Sequence, residues 1–184
     1  MQRDLVEQAL HGDHGAFGEL ARASAGGLLT LARLILHDDA AAEDATQDAL
    51  VAAWRHLRGL RDPDRFEPWL RRLLINACHH EARRAQRRHR TEIHVEGLDL
   101  PTPDGSVSVA DRDLLDRGFR RLDVDQRAVV VLSYYLGLQP AEVAEILGVP
   151  AGTVRSRLHR GMQSMRATLD ADERAAALRE GGPA

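Results

Sequence analysis

The side chains best placed to do chemistry in this chain are cations and amides at helical spacing, and the chemistry open to them is the binding of polyanions. In LQPAEVAEILGVPAGTVRSRLHR, residues 138–160, Gly148 follows Ala144 by four positions and Val154 follows Gly148 by six. That spacing lets two helices approach, ends the first at a turn and packs the second back on it, as a helix-turn-helix requires. In the second helix Val154, Leu158, Met165 and Leu169 share one stripe, while Arg155, Ser156, His159, Arg160 and Gln163 point the opposite way. Arginine can bond guanine bidentately in a major groove, and Ser, Gln and backbone amides at a helix start can hold phosphates. A plain helical hairpin would carry the same apolar stripe but gives no reason for residues 151–169 to exclude acids.

A second segment, RDPDRFEPWLRRLLINACHHEARRAQRR at 61–88, sets Phe66, Trp69, Leu70, Leu73, Leu74 and Ala77 on a core face. Arg72, Asn76, His79 and Arg83 form a polar stripe beside it, which can run along a nucleic-acid backbone. In a third, DDAAAEDATQDALVAAWRHLRGL at 38–60, Thr46, Leu50, Ala53, Leu57 and Leu60 make the buried stripe. Asp44, Gln47, Asp48, Val51 and Arg55 are left outward, a mixture suited to docking a partner helix and equally to an ordinary acidic solvent face.

Catalysis has no foothold in these patterns. His79, His80 and His89 could bind a metal in principle, but His79 and His80 diverge by about 100° on a helix and no carboxylate pair completes the set. Cys78 and His79 point apart for the same reason, so Cys78 reads as a semi-buried filler rather than a nucleophile. Without a paired-carboxylate, nucleophile-and-base or metal constellation, the expectation is a binding protein with no cofactor, and not an enzyme.

The elements that position these residues are helices throughout, with no alternating strand. The pattern predicts helices over 4–10, from Asp13 to about Leu36 with an interruption allowed at Gly26 and Gly27, from Asp38 or Asp39 to about Leu60, and from Asp62 to about Arg90. Residues 91–108 contain two prolines and two glycines and no helical stripe, and read as a flexible linker. Helices resume over 109–121, 124–136, 140–147 and 151–168, and the Ala-rich tail from 170 to 184 is expected to fray. The fold class is therefore all-α, with two small domains at 1–90 and 109–169.

The 184 residues exclude a large two-domain enzyme, and no apolar run approaches the ~20 residues that span a bilayer. The lack of a signal-like start leads to the expectation of a cytoplasmic protein without membrane insertion, and single Cys78 agrees with a reducing compartment. All 25 basic residues are Arg. A net charge of −3 hides a partition: 36–64 carry seven acids against three Arg, 65–90 eight Arg against two acids, 91–125 nine acids against four Arg, and 151–169 four Arg and no acid. Two basic helices on an acidic chain indicate two localised polyanion contacts, although solvated helix faces would look alike.

The order AEDATQDALVAAWRHL, FEPWLRRLLINACHHEARR, linker and LGLQPAEVAEILGVPAGTVRSRLHRG resembles the extracytoplasmic-function sigma factors of bacterial RNA polymerase over about residues 10–168. The resemblance implies a sigma domain two, a sigma domain four, promoter-dependent initiation of transcription, and as partners core polymerase, promoter DNA and the anti-sigma protein that many relatives bind. It implies that Asp44, Gln47, Asp48, Val51 and Arg55 dock on the clamp helices of the polymerase's largest subunit. Leu60, Arg61, Arg65, Arg72, Asn76, His79 and Arg83 would then melt and read the −10 element, with Leu60 or Phe66 walling a pocket for an extruded base. Thr153, Arg155, Ser156, His159 and Arg160 would read the −35 element. LLIN replaces the family's I-A-R-N, and Gly161-Met162-Gln163-Ser164 an Arg-rich continuation. The alternative is a stand-alone helix-turn-helix regulator whose first half is a dimerisation or effector domain.

Overall fold

A computed structural model describes residues 2–89 and 109–180. Among them there are eight α-helices and no strand: α1 (Gln2–Leu10), α2 (His14–Leu36), α3 (Asp39–His56), α4 (Phe66–His89), α5 (Val109–Arg120), α6 (Val124–Val130), α7 (Pro140–Leu147) and α8 (Ala151–Glu180). The expected linker, residues 91–108, lies outside the described residues.

Short-range polar chemistry sets the helix starts. Asp13 accepts the N–H groups of Gly15 and Ala16 at 2.8 and 3.1 Å, and Asp38 accepts Ala41 N–H at 2.9 Å. Asp123 accepts Gln126 N–H at 2.7 Å while the Gln126 side chain accepts Asp123 N–H at 3.1 Å, a reciprocal cap. Pro63 opens a single 3₁₀ turn that leads into α4.

Some boundaries differ from expectation. α2 runs unbroken through Gly26 and Gly27, because Leu28, Leu31, Ala32 and Ile35 just beyond them are buried and hold it in register. α3 stops at His56, and a 3₁₀ turn over Leu57–Gly59 replaces its last turn. The helix expected to reach 136 ends at Val130, where the chain widens so that Leu136 N–H reaches Val131 O five residues back at 3.2 Å. α8 continues to Glu180, past the expected fraying point, since the stretch 170–180 is rich in strong helix formers. Residues 181–184 lie outside the described part.

α2, α3 and α4 enclose a core of Leu20, Ile35, Leu70, Leu74 and Cys78, with Ala42, Ala45, Ala49 and Ala53 letting α3 approach closely. Leu50 is only partly buried, unlike its stripe-mates Thr46, Ala53, Leu57 and Leu60. Cys78 is fully rather than partly buried, and burial pushes its thiol up to about 12. α6 and α7 pack on α4, and α6 also on α2, so that Val129, Leu132, Val143, Ile146 and Val154 join the same apolar cluster. The two halves of the chain share this cluster, and Leu122, Val130 and Met165 form a smaller one within the C-terminal half.

Candidate nucleic-acid interface

The second basic element is a helix-turn-helix built as the spacing predicts. Gly148 ends α7 with φ 65°, a left-handed conformation open to glycine at little cost, and Val149 N–H returns to Ala144 O at 3.1 Å. Val154 is fully buried and Met165 nearly so, which anchors α8 from beneath. Arg155, Ser156, His159, Arg160 and Gln163 are exposed on the opposite side and Thr153 is half-buried at the first turn. Ser156 Oγ donates to Thr153 O at 3.0 Å, and Arg160 Nε donates to Ser156 O at 3.3 Å, so these two start from folded-back positions.

On the first element, Arg61, Arg65, Arg72, Asn76 and Arg83 are exposed, His79 is half-buried and Leu60 is buried. Phe66 is 2% exposed and belongs to the core, whereas Leu60 lines a cavity of about 180 Å³ with Arg65, Pro68, Trp69 and Arg72. The cavity's far wall is Glu145 and Ile146 of α7. Arg65 and Glu145 form an ion pair, which raises the Arg65 pKa through the hydrogen bond from Arg65 to Glu145. His79 Nε2 lies 3.1 Å from Asp125 Oδ1, and Asp125 Oδ2 accepts Arg157 at 3.0 Å. Burial lowers the His79 pKa and outweighs the opposing pull of Asp125.

All five residues of the acidic stripe, Asp44, Gln47, Asp48, Val51 and Arg55, are exposed along α3. Beside them opens an apolar groove of about 540 Å³ between α2 and α3, lined by residues that include Phe17, Leu29, Leu50, Val51 and Trp54. Trp54 is 40% exposed and packs against His14 and Phe17 with ring centroids 4.7 and 4.9 Å away. Trp54 lies outside the docking set expected from the sequence. A large aromatic side chain three positions from Val51, on the outward edge of an otherwise alanine-rich helix, was the available signal.

His80, Glu81 and Asp48 bring ligand atoms within 4.8 Å of one another, a grouping hidden from the sequence because Asp48 comes from α3. Glu81 is already engaged by Arg84, one turn along α4, at 3.4 Å. The joint between the halves is further made by His37, which ends α2 with φ 54° and places Nδ1 3.3 Å from Asp116 Oδ1, and by Arg127, which donates to Leu36 O at 3.5 Å. Burial lowers the His37 pKa to about 4, assisted by Arg127 and opposed by Asp116.

A family model of Sigma-70 region 2 matches residues 20–88, and one of Sigma-70, region 4 matches residues 112–165. SigM of Mycobacterium tuberculosis, an ECF RNA polymerase sigma factor, is 36% identical over 157 residues, covering 85% of this chain and 79% of that protein. The chain belongs to the extracytoplasmic-function sigma factors. The RNA polymerase sigma-E factor of Streptomyces avermitilis is likewise 36% identical over 161 residues, covering 87% of this chain and 88% of the relative. The structure of CnrH in complex with the cytosolic domain of CnrY matches with a TM-score of 0.67 at 30% identity, over 93% of this chain and 98% of CnrH. RpoE of Bartonella quintana, in complex with the anti-sigma factor NepR, shares the fold with a TM-score of 0.67 at 23% identity, over 85% and 98% of the two chains.

This sigma factor binds core RNA polymerase and directs promoter-specific initiation of transcription. Sigma factors are initiation factors rather than catalysts. The stand-alone regulator reading is not favoured, because residues 20–88 match region 2 where such a regulator would carry a sensor or dimerisation half. No helix of the described residues is long and apolar enough to cross a membrane.

Proposed function

We propose that the sigma factor divides its work among three surfaces, on an N-terminal domain at 1–90 and a C-terminal domain at 109–169 tethered by 91–108. The stripe Asp44, Gln47, Asp48, Val51 and Arg55 docks on the clamp helices of the polymerase's largest subunit, with Trp54 and the groove beside it taking an apolar side chain of that partner. Leu60, Arg61, Arg65, Arg72, Asn76, His79 and Arg83 hold the opened −10 strand by its backbone charge, and Leu60 walls the pocket that receives an extruded base. Thr153, Arg155, Ser156, His159 and Arg160 read the −35 element as duplex in a major groove. The chain carries out no chemistry of its own, works in the cytoplasm beside the polymerase, and is held in reserve by an anti-sigma protein.

The observation that carries the docking assignment is an acidic stripe, each of its residues exposed, beside an open apolar groove. Apolar anchors ringed by charge are what a specific interface needs. Asp44→Arg with Asp48→Arg leaves the buried face of α3 untouched and is expected to weaken core binding about tenfold or more, most at low salt. Core affinity equal to the parent's in a folded double variant would overturn the assignment.

A further inference from the structure

We propose that Asp48 of α3 with His80 and Glu81 of α4 form a binding site for a divalent metal of the zinc, cobalt and nickel class, and that an ion held there takes Asp48 out of the docking stripe and weakens assembly with core polymerase. The site stands on its own geometry; its effect on assembly rests on the docking assignment given above.

Two helices build the site. Fully buried Ala45, Ala49 and Ala53 let α3 approach α4 closely, which brings Asp48 over the turn that carries His80 and Glu81. One ligand atom from each of the three lies within 4.8 Å of the other two. His80 Nδ1 and Glu81 Oε1 are 3.5 Å apart, close to the roughly 3.3 Å between two ligand atoms bound at about 2.0–2.2 Å around a tetrahedral ion. Asp48 has at most about 1.5 Å to close, within reach of a rotamer change for an exposed side chain. The Glu81 side chain is 1% exposed and forms a fixed inner wall, whereas that of His80 is 65% exposed and leaves the ion a path from solvent. Among the described residues no other three His, Cys or carboxylate side chains converge in this way.

The donor set selects the ion. Two carboxylates balance a divalent charge, and one imidazole nitrogen favours borderline metals over magnesium or calcium, which take six or more oxygens. Three protein ligands leave a further position for water. Arg84 is the resident competitor: it reaches Glu81 Oε1 at 3.4 Å with a side chain 56% exposed, and can withdraw into solvent as the ion enters. A bound dication is the largest charge in its neighbourhood, so at Asp48 it reverses the sign of the docking stripe near its middle and turns that carboxylate away from a partner helix.

The test titrates the full chain, without a polyhistidine tag, with zinc chloride by calorimetry in the absence of polymerase. The parent is expected to bind one ion per chain, and His80→Gln and Asp48→Asn, both at exposed positions, should each weaken binding about tenfold or more. His56→Gln, at an exposed histidine of α3 outside the site, should change it less than about twofold, while Arg84→Gln removes the competing cation and should tighten it about threefold. No binding by the parent, or equal losses in His80→Gln and His56→Gln, would overturn the site. Core affinity is then read by anisotropy of the dye-labelled sigma factor with and without zinc. It is expected to fall about fivefold in the parent and less than about twofold in His80→Gln, which lies outside the docking stripe and should match the parent when zinc is left out. An equal effect of zinc in His80→Gln would overturn the coupling. If zinc binds and core affinity does not move, Asp44→Arg with Asp48→Arg separates the two failures: weaker core binding in that variant sinks only the coupling, whereas unchanged binding sinks the docking assignment itself.

Discussion

Two faces of the N-terminal half differ in what covers them. The α2/α3 face keeps Val51 and Trp54 in solvent beside an open groove. The face made by the loop before α4 and by α4 itself is met by Glu145, Gly148 and Asp125 of the C-terminal half. On the proposed assignment of surfaces, docking on polymerase needs no rearrangement, whereas −10 contact is expected to require the two halves to part. The exposed outward face of α8 resembles the first region and not the second.

The largest expected effect would break the comparison at its open end. Trp54→Ala removes the aromatic anchor of the groove and is expected to weaken core binding by about 2 kcal/mol or more, roughly 30-fold. The distance between dyes on the two halves should stay at its parental value, and a change there would show that the groove and the joint are coupled.

Next come Arg155→Ala and Arg160→Ala on α8. Loss of a base contact costs about 1–3 kcal/mol and relaxes preference at one position, while loss of a phosphate contact weakens all sequences alike and lowers the salt slope by about one. Scoring −35 variants at two salt concentrations separates these signatures. The same losses should appear in the Glu145→Gln background, since this face is exposed in the closed form.

A smaller effect sharpens the covered side of the comparison. His37 is held neutral in the joint, with its pKa lowered to about 4 by burial, and the pKa of His79 is lowered in the same direction. Opening rehydrates His37 and restores its ordinary value near 6.5. A basic group depressed in the closed state stabilises it fully above about pH 6.5, and that stability is lost as pH falls toward 4. Between pH 7.5 and 5.5 the open-to-closed ratio should rise by up to about tenfold, read by the same dyes. His37→Asn tolerates the left-handed backbone and should flatten most of that slope; an unchanged slope would remove His37 from the account.

The smallest effect concerns Cys78, the only cysteine. Its buried thiol lies in the field of Arg127, which belongs to α6 across the joint. Parent protein should react slowly with a thiol reagent at pH 8, and the Glu145→Gln variant a few times faster. Equal rates would show that the joint does not gate access to α4.

What could be read from the sequence was local. Asp13, Asp38 and Asp123 announce their helices through hydrogen bonds two or three residues long, and Gly148 announces its turn through a backbone state that other residues resist. The outward sets on α3 and α8 followed from helical periodicity alone. The joint did not, because Arg65 with Glu145 and Arg127 with Leu36 O are pairings 80 and 91 residues apart. No periodic pattern encodes which acid will meet which cation over such a span. The segregation of charge along the chain revealed that the basic helices seek a polyanion, but not that the chain's own acids would partner part of one of them first. Cys78 is more deeply buried than its place beside the polar stripe suggests, on a helix that α6 and α7 of the other half also pack against, contacts that no periodicity encodes.

The shared core gives the joint a thermal character. Ile146 faces Leu60 and Trp69 across one cavity, and Leu136 faces Leu28 and Leu31 across another. Parting the halves wets these side chains, so opening carries a positive heat-capacity change, as partial unfolding does. The apolar share of the closing force weakens on cooling while the polar share does not follow it. The closed form is thus bounded in temperature from below as well as from above, and a chilled sample will hold more open molecules than one at the temperature where closure is tightest.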